Sequence, residues 1–342
     1  MAGAGIAHLR DGEDIVLRVE DLVVEFPTEG KRTVHAVSGI SFDVKRGETL
    51  GLVGESGCGK STTGRSVMQL PPPTSGSIRF AGRDLTSLSS SELRSVRRKV
   101  QMIFQDPISS LNPRRRVLDI VADPLVVWGE KKADTRAKVA EVLDAVGLDV
   151  DQAGDRHPHQ FSGGQCQRIS IARALVVEPE IIICDEPVSA LDVSIQAQIL
   201  NLLEDMKERY ALTLVFIAHD LAVVRNISDR VAVMYLGKLC EIGAPQELYD
   251  GPRHHYTKLL LNSIPAMGDD QVDPVAKSEM PSPMDPPSGC RFRTRCPAAT
   301  EICAEEEPSM QEVGEGHFLA CHHPLPLPDG DVAEPSVPGS RV

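Results

Sequence analysis

Nine consecutive residues can hold a phosphate. Gly54, Glu55, Ser56, Gly57, Cys58, Gly59, Lys60 and Ser61, with Thr62 following, carry the pattern G-x-x-x-x-G-K-S/T. The apolar run Thr49 to Val53 before them predicts a buried strand, and a helix is predicted from Lys60 onward. Glycines let the backbone turn with positive φ, so successive N–H groups face an anion. The helix N-terminus adds partial positive charge. Lys60 can then reach β- and γ-phosphates, and the Ser61 hydroxyl can ligate Mg²⁺. A plain glycine-rich turn would share part of the pattern, but the strand before it favours the phosphate reading.

Asp185-Glu186 follow the apolar run Ile181 to Cys184. A strand there delivers Asp185 beside the phosphate loop, where a carboxylate can bind Mg²⁺ through water. Glu186 can act as the base that orients an attacking water. A surface turn would also explain two neighbouring acids, except for the apolar residues leading into them. His219 ends a second apolar run, Leu214 to Ala218, and Gln105 ends a third, Val100 to Phe104. Each is a polar tip that can approach a γ-phosphate, and each alone is more simply structural. Ser162-Gly163-Gly164-Gln165 opens another predicted helix, with glycine-supplied donors and no strand before it. One ATP has one set of phosphates, already held by Gly54 to Thr62. A second cradle makes sense if it binds the γ-phosphate of an ATP on another subunit, which implies a dimer.

The elements around these residues belong to a chain of 342 residues with net charge −13 and pI near 5.3. The acidic balance argues against a nucleic-acid partner, and Arg114-Arg115-Arg116 reads as a solvated helix end. No apolar segment approaches 18 residues, so no membrane span is predicted. Met1 to Gly5 lack an apolar signal region, which points to a cytoplasmic chain whose eight cysteines are thiols.

In chain order, residues 1–14 are predicted disordered. Ile15 to Val44 alternate in a strand-like pattern around the polar turn Thr28 to Arg32. Phe26, just before that turn, suits either adenine stacking or a core. Residues 106–165 read as mostly helical, with Val139, Val142, Leu143 and Val146 on one face and Gly147 as a C-cap. Ile195 to Arg209 is a predicted helix, and Arg230 to Met234 with Lys238 to Ile242 a hairpin. Six prolines between Pro265 and Pro287 predict a stiff, extended linker or an irregular wrap over 262–289. A cysteine-bearing module, 290–323, and a Pro- and acid-rich disordered tail, 324–342, complete the chain.

The motifs together resemble the nucleotide-binding subunit of an ATP-binding cassette (ABC) transporter. Gly54 to Thr62 match the Walker A loop, Gln105 the Q-loop and Ser162 to Gln165 the signature. Ile181 to Glu186 match Walker B, Ser189 to Asp192 the D-loop, and His219 the switch histidine. The resemblance spans about residues 15–261. It implies an α/β P-loop NTPase fold: a RecA-like core, an antiparallel β subdomain and a helical subdomain at about 106–165. It also implies ATP hydrolysis by Lys60, Gln105, Glu186 and His219, with Mg²⁺ held by Ser61, Gln105 and Asp185. Phe26 becomes the candidate adenine-stacking residue, and Ser162, Gly163, Gly164, Gln165 and Asp192 act in trans. Cys166 departs from the family, which often has Arg there.

A narrower resemblance is to the dipeptide/oligopeptide importer branch. It rests on Phe104 to Pro107, Ser110 to Pro113, Pro158 to Phe161, Pro187 to Ser194, Tyr256 to Leu260, and Gly289 to Cys321. His255 stands where that branch usually has Pro. The implied function is energising peptide uptake from the cytoplasmic face of the plasma membrane. Implied partners are a second ATPase subunit, two permease subunits and an extracytoplasmic solute-binding protein. The branch also includes importers of nickel chelates, glutathione and sugars. A soluble ABC ATPase and a non-catalytic nucleotide-binding module are the rival classes.

Cys290, Cys296, Cys303 and Cys321 are separated by five, six and seventeen residues, without the C-x-x-C spacing of zinc ribbons. Four thiolates can hold a 4Fe–4S cluster, and the importer branch is associated with one in this module. Zinc (with His317, His322 or His323) and reduced structural thiols are the alternatives.

Overall fold

The computed structural model describes residues 5–30, 32–264 and 279–327. Half of the expected linker (265–278) and most of the expected tail (328–342) therefore lie outside the described residues.

The chain opens with β1 (Ile15–Pro27) and β2 (Thr33–Lys45), a long antiparallel pair, and continues into β3 (Thr49–Val53) and α1 (Lys60–Val67). Then come β4 (Ser75–Phe80), β5 (Arg83–Asp84), α2 (Ser90–Lys99) and β6 (Val100–Ile103). Ser89 caps α2 through a reciprocal box with Glu92. The expected helical region is α3 (Pro107–Ser110), α4 (Val117–Val127), α5 (Arg136–Ala145), α6 (Val150–Ala153) and α7 (Gly163–Leu175). After α7 come β7 (Ile181–Asp185), α8 (Val193–Tyr210), β8 (Thr213–Ala218), α9 (Leu221–Ile227), β9 (Arg230–Tyr235) and β10 (Lys238–Gly243). The last elements are α10 (Pro245–Asp250), α11 (His255–Asn262), α12 (Ile302–Glu305), β11 (Gln311–Gly314) and β12 (His317–Leu319).

Among the described residues the strands form two sheets. The smaller has order β2-β1-β4-β5; the larger has order β11-β12-β10-β9-β3-β8-β7-β6. Strands β6, β7, β8, β3 and β9 run parallel, while β10, β12 and β11 alternate in direction beside them. The parallel strands read as unbroken apolar runs because both faces are covered. Their period of two divides them between two cores. Ile181, Ile183, Val215 and Ile217 face the core shared with β1 and β2. Ile182, Cys184, Leu214 and Phe216 face the other core, shared with α7, α8 and the helical region. Val139, Val142, Leu143 and Val146 are all buried there, and Gly147 closes α5 at φ 74°.

Two expectations are corrected. Residues 5–14 are not a loose leader. The buried His8 pairs through Nε2 with the Ser41 carbonyl at 2.5 Å, and Arg10 bonds Asp43 and Glu48 at 2.5–2.9 Å. Nor is the cysteine-rich stretch a separate module. Strand β12 pairs with β10 (Glu241 opposite Leu319, Ile242 opposite Phe318), so the β11–β12 hairpin extends the main sheet. Phe292 is buried in the large core, against Tyr235 and Tyr256. The stretch has too few apolar residues for a core of its own and uses the core of the cassette instead.

Candidate nucleotide site

Parallel pairing of β3 with β8, and of β8 with β7, brings three strand ends together. These ends carry the phosphate loop, Asp185-Glu186 and His219, while β6 beside β7 carries Gln105 just beyond its end. Side chains at such carboxyl ends face the crevice where α/β sheets bind ligands.

The loop has the backbone its glycines predict. Gly57 lies at φ 81° and Gly59, the N-cap of α1, at φ 109°. A Cβ on Gly59 would collide with the Ala36 carbonyl oxygen and the Met234 side chain. Lys60 is buried, and its ammonium donates to the carbonyls of Gly54 (2.7 Å) and Glu55 (2.9 Å). Its Nζ also lies 4.0 Å from the Glu186 carboxylate. The lysine is thereby stretched along the loop, where it can turn to a triphosphate. Cys58 is buried, and burial pushes its thiol up to about 11 against the opposing charge of Lys60. It is a packing residue in this loop.

Ser61 Oγ donates to Asp185 Oδ1 at 2.6 Å, and Asp185 is fully buried. A hydroxyl and a carboxylate so close are oxygen donors of the kind Mg²⁺ takes. Glu186 sits one residue on, at φ 47°, a left-handed conformation rare outside glycine. Its N–H donates to the Ile217 carbonyl at 3.0 Å. Its Oε2 accepts from Gln105 Nε2 at 3.0 Å and contacts His219 Nδ1 at 3.2 Å. The four positions Lys60, Gln105, Glu186 and His219 therefore meet at one carboxylate. Such a group can hold a water and take its proton.

Phe26 stands at the end of β1, 38% exposed, opposite Val34. That placement leaves its ring open for stacking rather than in a core. Ser162 caps α7: its Oγ accepts from the Gln165 N–H (3.3 Å), and Gln165 Oε1 accepts from the Ser162 N–H (3.0 Å). Both are exposed, as is Asp192 at the N-cap of α8. Cys166 is buried, with Sγ 3.5 Å from the Pro158 carbonyl, and carries no charge where an Arg would.

The cysteine expectation fares differently. The eight cysteines are free thiols. Among the described residues no group of three or more His, Cys, Asp or Glu side chains could hold a metal ion. Burial pushes the Cys321 thiol up to about 12, with Cys290, Cys296 and Cys303 adding to the shift. The side chains as arranged therefore do not support a cluster or zinc, and no chemistry is assigned to them.

Two residues that short-range motifs do not reveal also touch the loop. The Tyr256 hydroxyl accepts from the Glu55 N–H at 2.8 Å, and Arg295 forks onto the Glu55 carboxylate at 2.7 and 2.9 Å. Tyr256 to Leu260 enter the sequence reading only as a branch signature. Nothing near Arg295 in the sequence points 240 residues back.

Comparison with known proteins agrees with this geometry. Residues 37–189 match the ABC transporter family, and residues 240–303 match the oligopeptide/dipeptide transporter C-terminal region. The chain is 51% identical to the oligopeptide transport ATP-binding protein AppF of Bacillus subtilis (strain 168), over 91% of this chain and 98% of that one. It is 48% identical to the oligopeptide transport ATP-binding protein OppF of Salmonella typhimurium, over 92% and 97%. Among solved structures it resembles a dimeric ATP-binding cassette in a post-hydrolysis state bound to ADP and Pi. That match has TM-score 0.61 and 29% identity, over 67% of this chain and 98% of the other. The chain belongs to the ABC transporter family of ATP-binding subunits, in the branch with the oligopeptide/dipeptide transporter C-terminal region.

Proposed function

We propose that this chain is the ATP-hydrolysing subunit of an importer that takes up dipeptides and oligopeptides across the plasma membrane. The observation that carries it is the convergence of Lys60, Gln105 and His219 on Glu186, beside the Ser61–Asp185 pair. The names of the relatives supply the cargo class.

Lys60 leaves its loop carbonyls for the β- and γ-phosphates, while Gly54 to Thr62 supply backbone donors and Phe26 stacks on the adenine. Ser61 and Asp185, with Gln105, are the residues that would hold Mg²⁺, which neutralises charge on the transferring phosphoryl group. Glu186 orients a water for in-line attack on the γ-phosphorus and accepts its proton as the bond to the ADP oxygen breaks. ADP and phosphate leave, and Glu186 releases the proton to solvent. His219 lies beside the γ-phosphate position and keeps Glu186 oriented.

Ser162, Gly163, Gly164, Gln165 and Asp192 complete the site of a second cassette, identical or similar; Ser162, Gln165 and Asp192 are exposed to meet it. The dimeric cassette with ADP and Pi supports this arrangement. Among the described residues no helix is long and apolar enough to cross a membrane. In this reading two permease subunits form the pathway and hold the chain at the cytoplasmic face, and an extracytoplasmic binding protein delivers the peptide. A 4Fe–4S cluster at Cys290, Cys296, Cys303 and Cys321 has only the branch resemblance behind it. The reading is tested by copurifying the assembly in a membrane mimic and adding peptide-loaded binding protein. Stimulated ATP turnover is expected; turnover indifferent to peptide contradicts the importer reading.

A further inference from the structure

Glu55 is the second residue of the phosphate loop, and each of its polar groups is already taken. Its N–H donates to the Tyr256 hydroxyl (2.8 Å), its carbonyl accepts from Lys60 Nζ (2.9 Å), and its carboxylate is forked by Arg295. Arg295 is itself held. Its side chain is 3% exposed, against 30% for Glu55, and its guanidinium lies 5.8 Å from the Tyr235 ring and 5.9 Å from that of Phe292. Burial alone would lower the Arg295 pKa, but its bonds to Glu55 and Tyr235 outweigh that and raise it, so the charge stays. Tyr235, Tyr256 and Phe292 form one buried aromatic cluster. The guanidinium is thus set in a rigid slot, aimed at the loop.

A carboxylate in a loop that receives a triphosphate repels it, and the repulsion grows where water is excluded. A bidentate guanidinium cancels that charge and fixes the direction of the carboxylate. The loop therefore depends on a side chain 240 residues away in the cysteine-rich stretch.

We propose that Arg295 is a positioning residue for nucleotide binding, neutralising and immobilising Glu55 so that the loop accepts MgATP. This rests on the reading of Gly54 to Thr62 as an ATP site. It makes the C-terminal stretch part of that site rather than an appendage.

The test is a double-mutant cycle on the full chain, with MgATP affinity read by calorimetry and folding checked by circular dichroism and thermal unfolding. Arg295→Met fills the slot without the charge and is expected to weaken MgATP binding about tenfold. Glu55→Gln alone is expected to weaken binding less than Arg295→Met does, and Glu55→Gln/Arg295→Met to recover at least about threefold over Arg295→Met alone. In the assembled complex Arg295→Met raises the KM for ATP while kcat changes by less than about threefold. A merely structural role for Arg295 predicts no recovery in the double variant. Wild-type affinity in Arg295→Met, or no recovery, overturns the proposal. If Arg295→Met does not fold, Arg295→Lys decides: a point charge without the fork should bind at least about twofold more weakly, and equality with wild type overturns the proposal. Failure of the wild-type chain to bind MgATP overturns the site reading and this inference together; wild-type binding with unchanged variants overturns the inference alone.

Discussion

The Ser61 hydroxyl donates to the Asp185 carboxylate at 2.6 Å, joining the first helical turn after the phosphate loop to the end of a strand 124 residues later. Both oxygens suit a hard divalent cation, and Asp185 has no solvent exposure to dilute its charge. Ser61→Ala is expected to lower Mg²⁺-dependent ATP turnover of the assembled transporter by about a hundredfold, and Asp185→Asn by at least as much. Turnover titrated against Mg²⁺ checks this, with the midpoint moving to higher concentration in Ser61→Ala.

Gly59→Ala should damage the fold itself. At φ 109° an L side chain is strained, and the new methyl meets the Ala36 carbonyl oxygen, a backbone atom that cannot swing aside. The expected loss is about 2–3 kcal/mol in urea unfolding of the full chain. Gly82→Ala is a useful contrast, because its φ of 77° is also strained but nothing lies within 4 Å. It should cost about 1 kcal/mol.

How much of this was legible in the sequence depended on the reach of each signal. The phosphate loop, the strand-end positions of Gln105, Asp185, Glu186 and His219, and the capped start of α7 are all written within about ten residues. Apolar runs predicted the parallel strands because burial on both faces removes polar residues from them. The position of Glu186 could be read, but its φ of 47° could not, since that comes from the neighbouring Ile217 carbonyl. His8 and Arg10 look like leader residues, and only their partners Ser41, Asp43 and Glu48 hold them in place. The β11–β12 hairpin was missed because it is too short to show periodicity and is stable only beside β10. Arg295 was missed for the same reason: its meaning lies in Glu55.

Ser162→Ala separates the two halves of the proposed site. It removes the acceptor of the Gln165 N–H and should cost about 1 kcal/mol of stability. MgATP affinity of the single chain should stay within about twofold of wild type, while turnover of the assembly falls at least about tenfold. Calorimetry on the chain and turnover of the complex give the two readouts.

Acid should destabilise the protein through His254. Burial holds its pKa at about 4, against 6.5 for a free imidazole, despite the opposing charge of Glu241. The unfolded chain binds the proton first, so stability falls as pH drops from about 6.5 to 4 and is retained above that window. The difference amounts to about 3 kcal/mol at the acid end. His254 Nδ1 also accepts from the Tyr256 N–H at the start of α11, and Asn can replace it as a cap. Urea unfolding across pH 4–7 should show a flatter pH dependence in His254→Asn than in wild type.

The most direct measurement is ATP turnover by the assembled transporter carrying Glu186→Gln. Gln keeps the shape and the contacts to Gln105 and His219 but cannot take the proton of the attacking water. MgATP binding should persist while turnover drops at least about a hundredfold and nucleotide stays trapped between two cassettes. Turnover equal to wild type would show that the carboxylate on which Lys60, Gln105 and His219 converge is not where hydrolysis occurs.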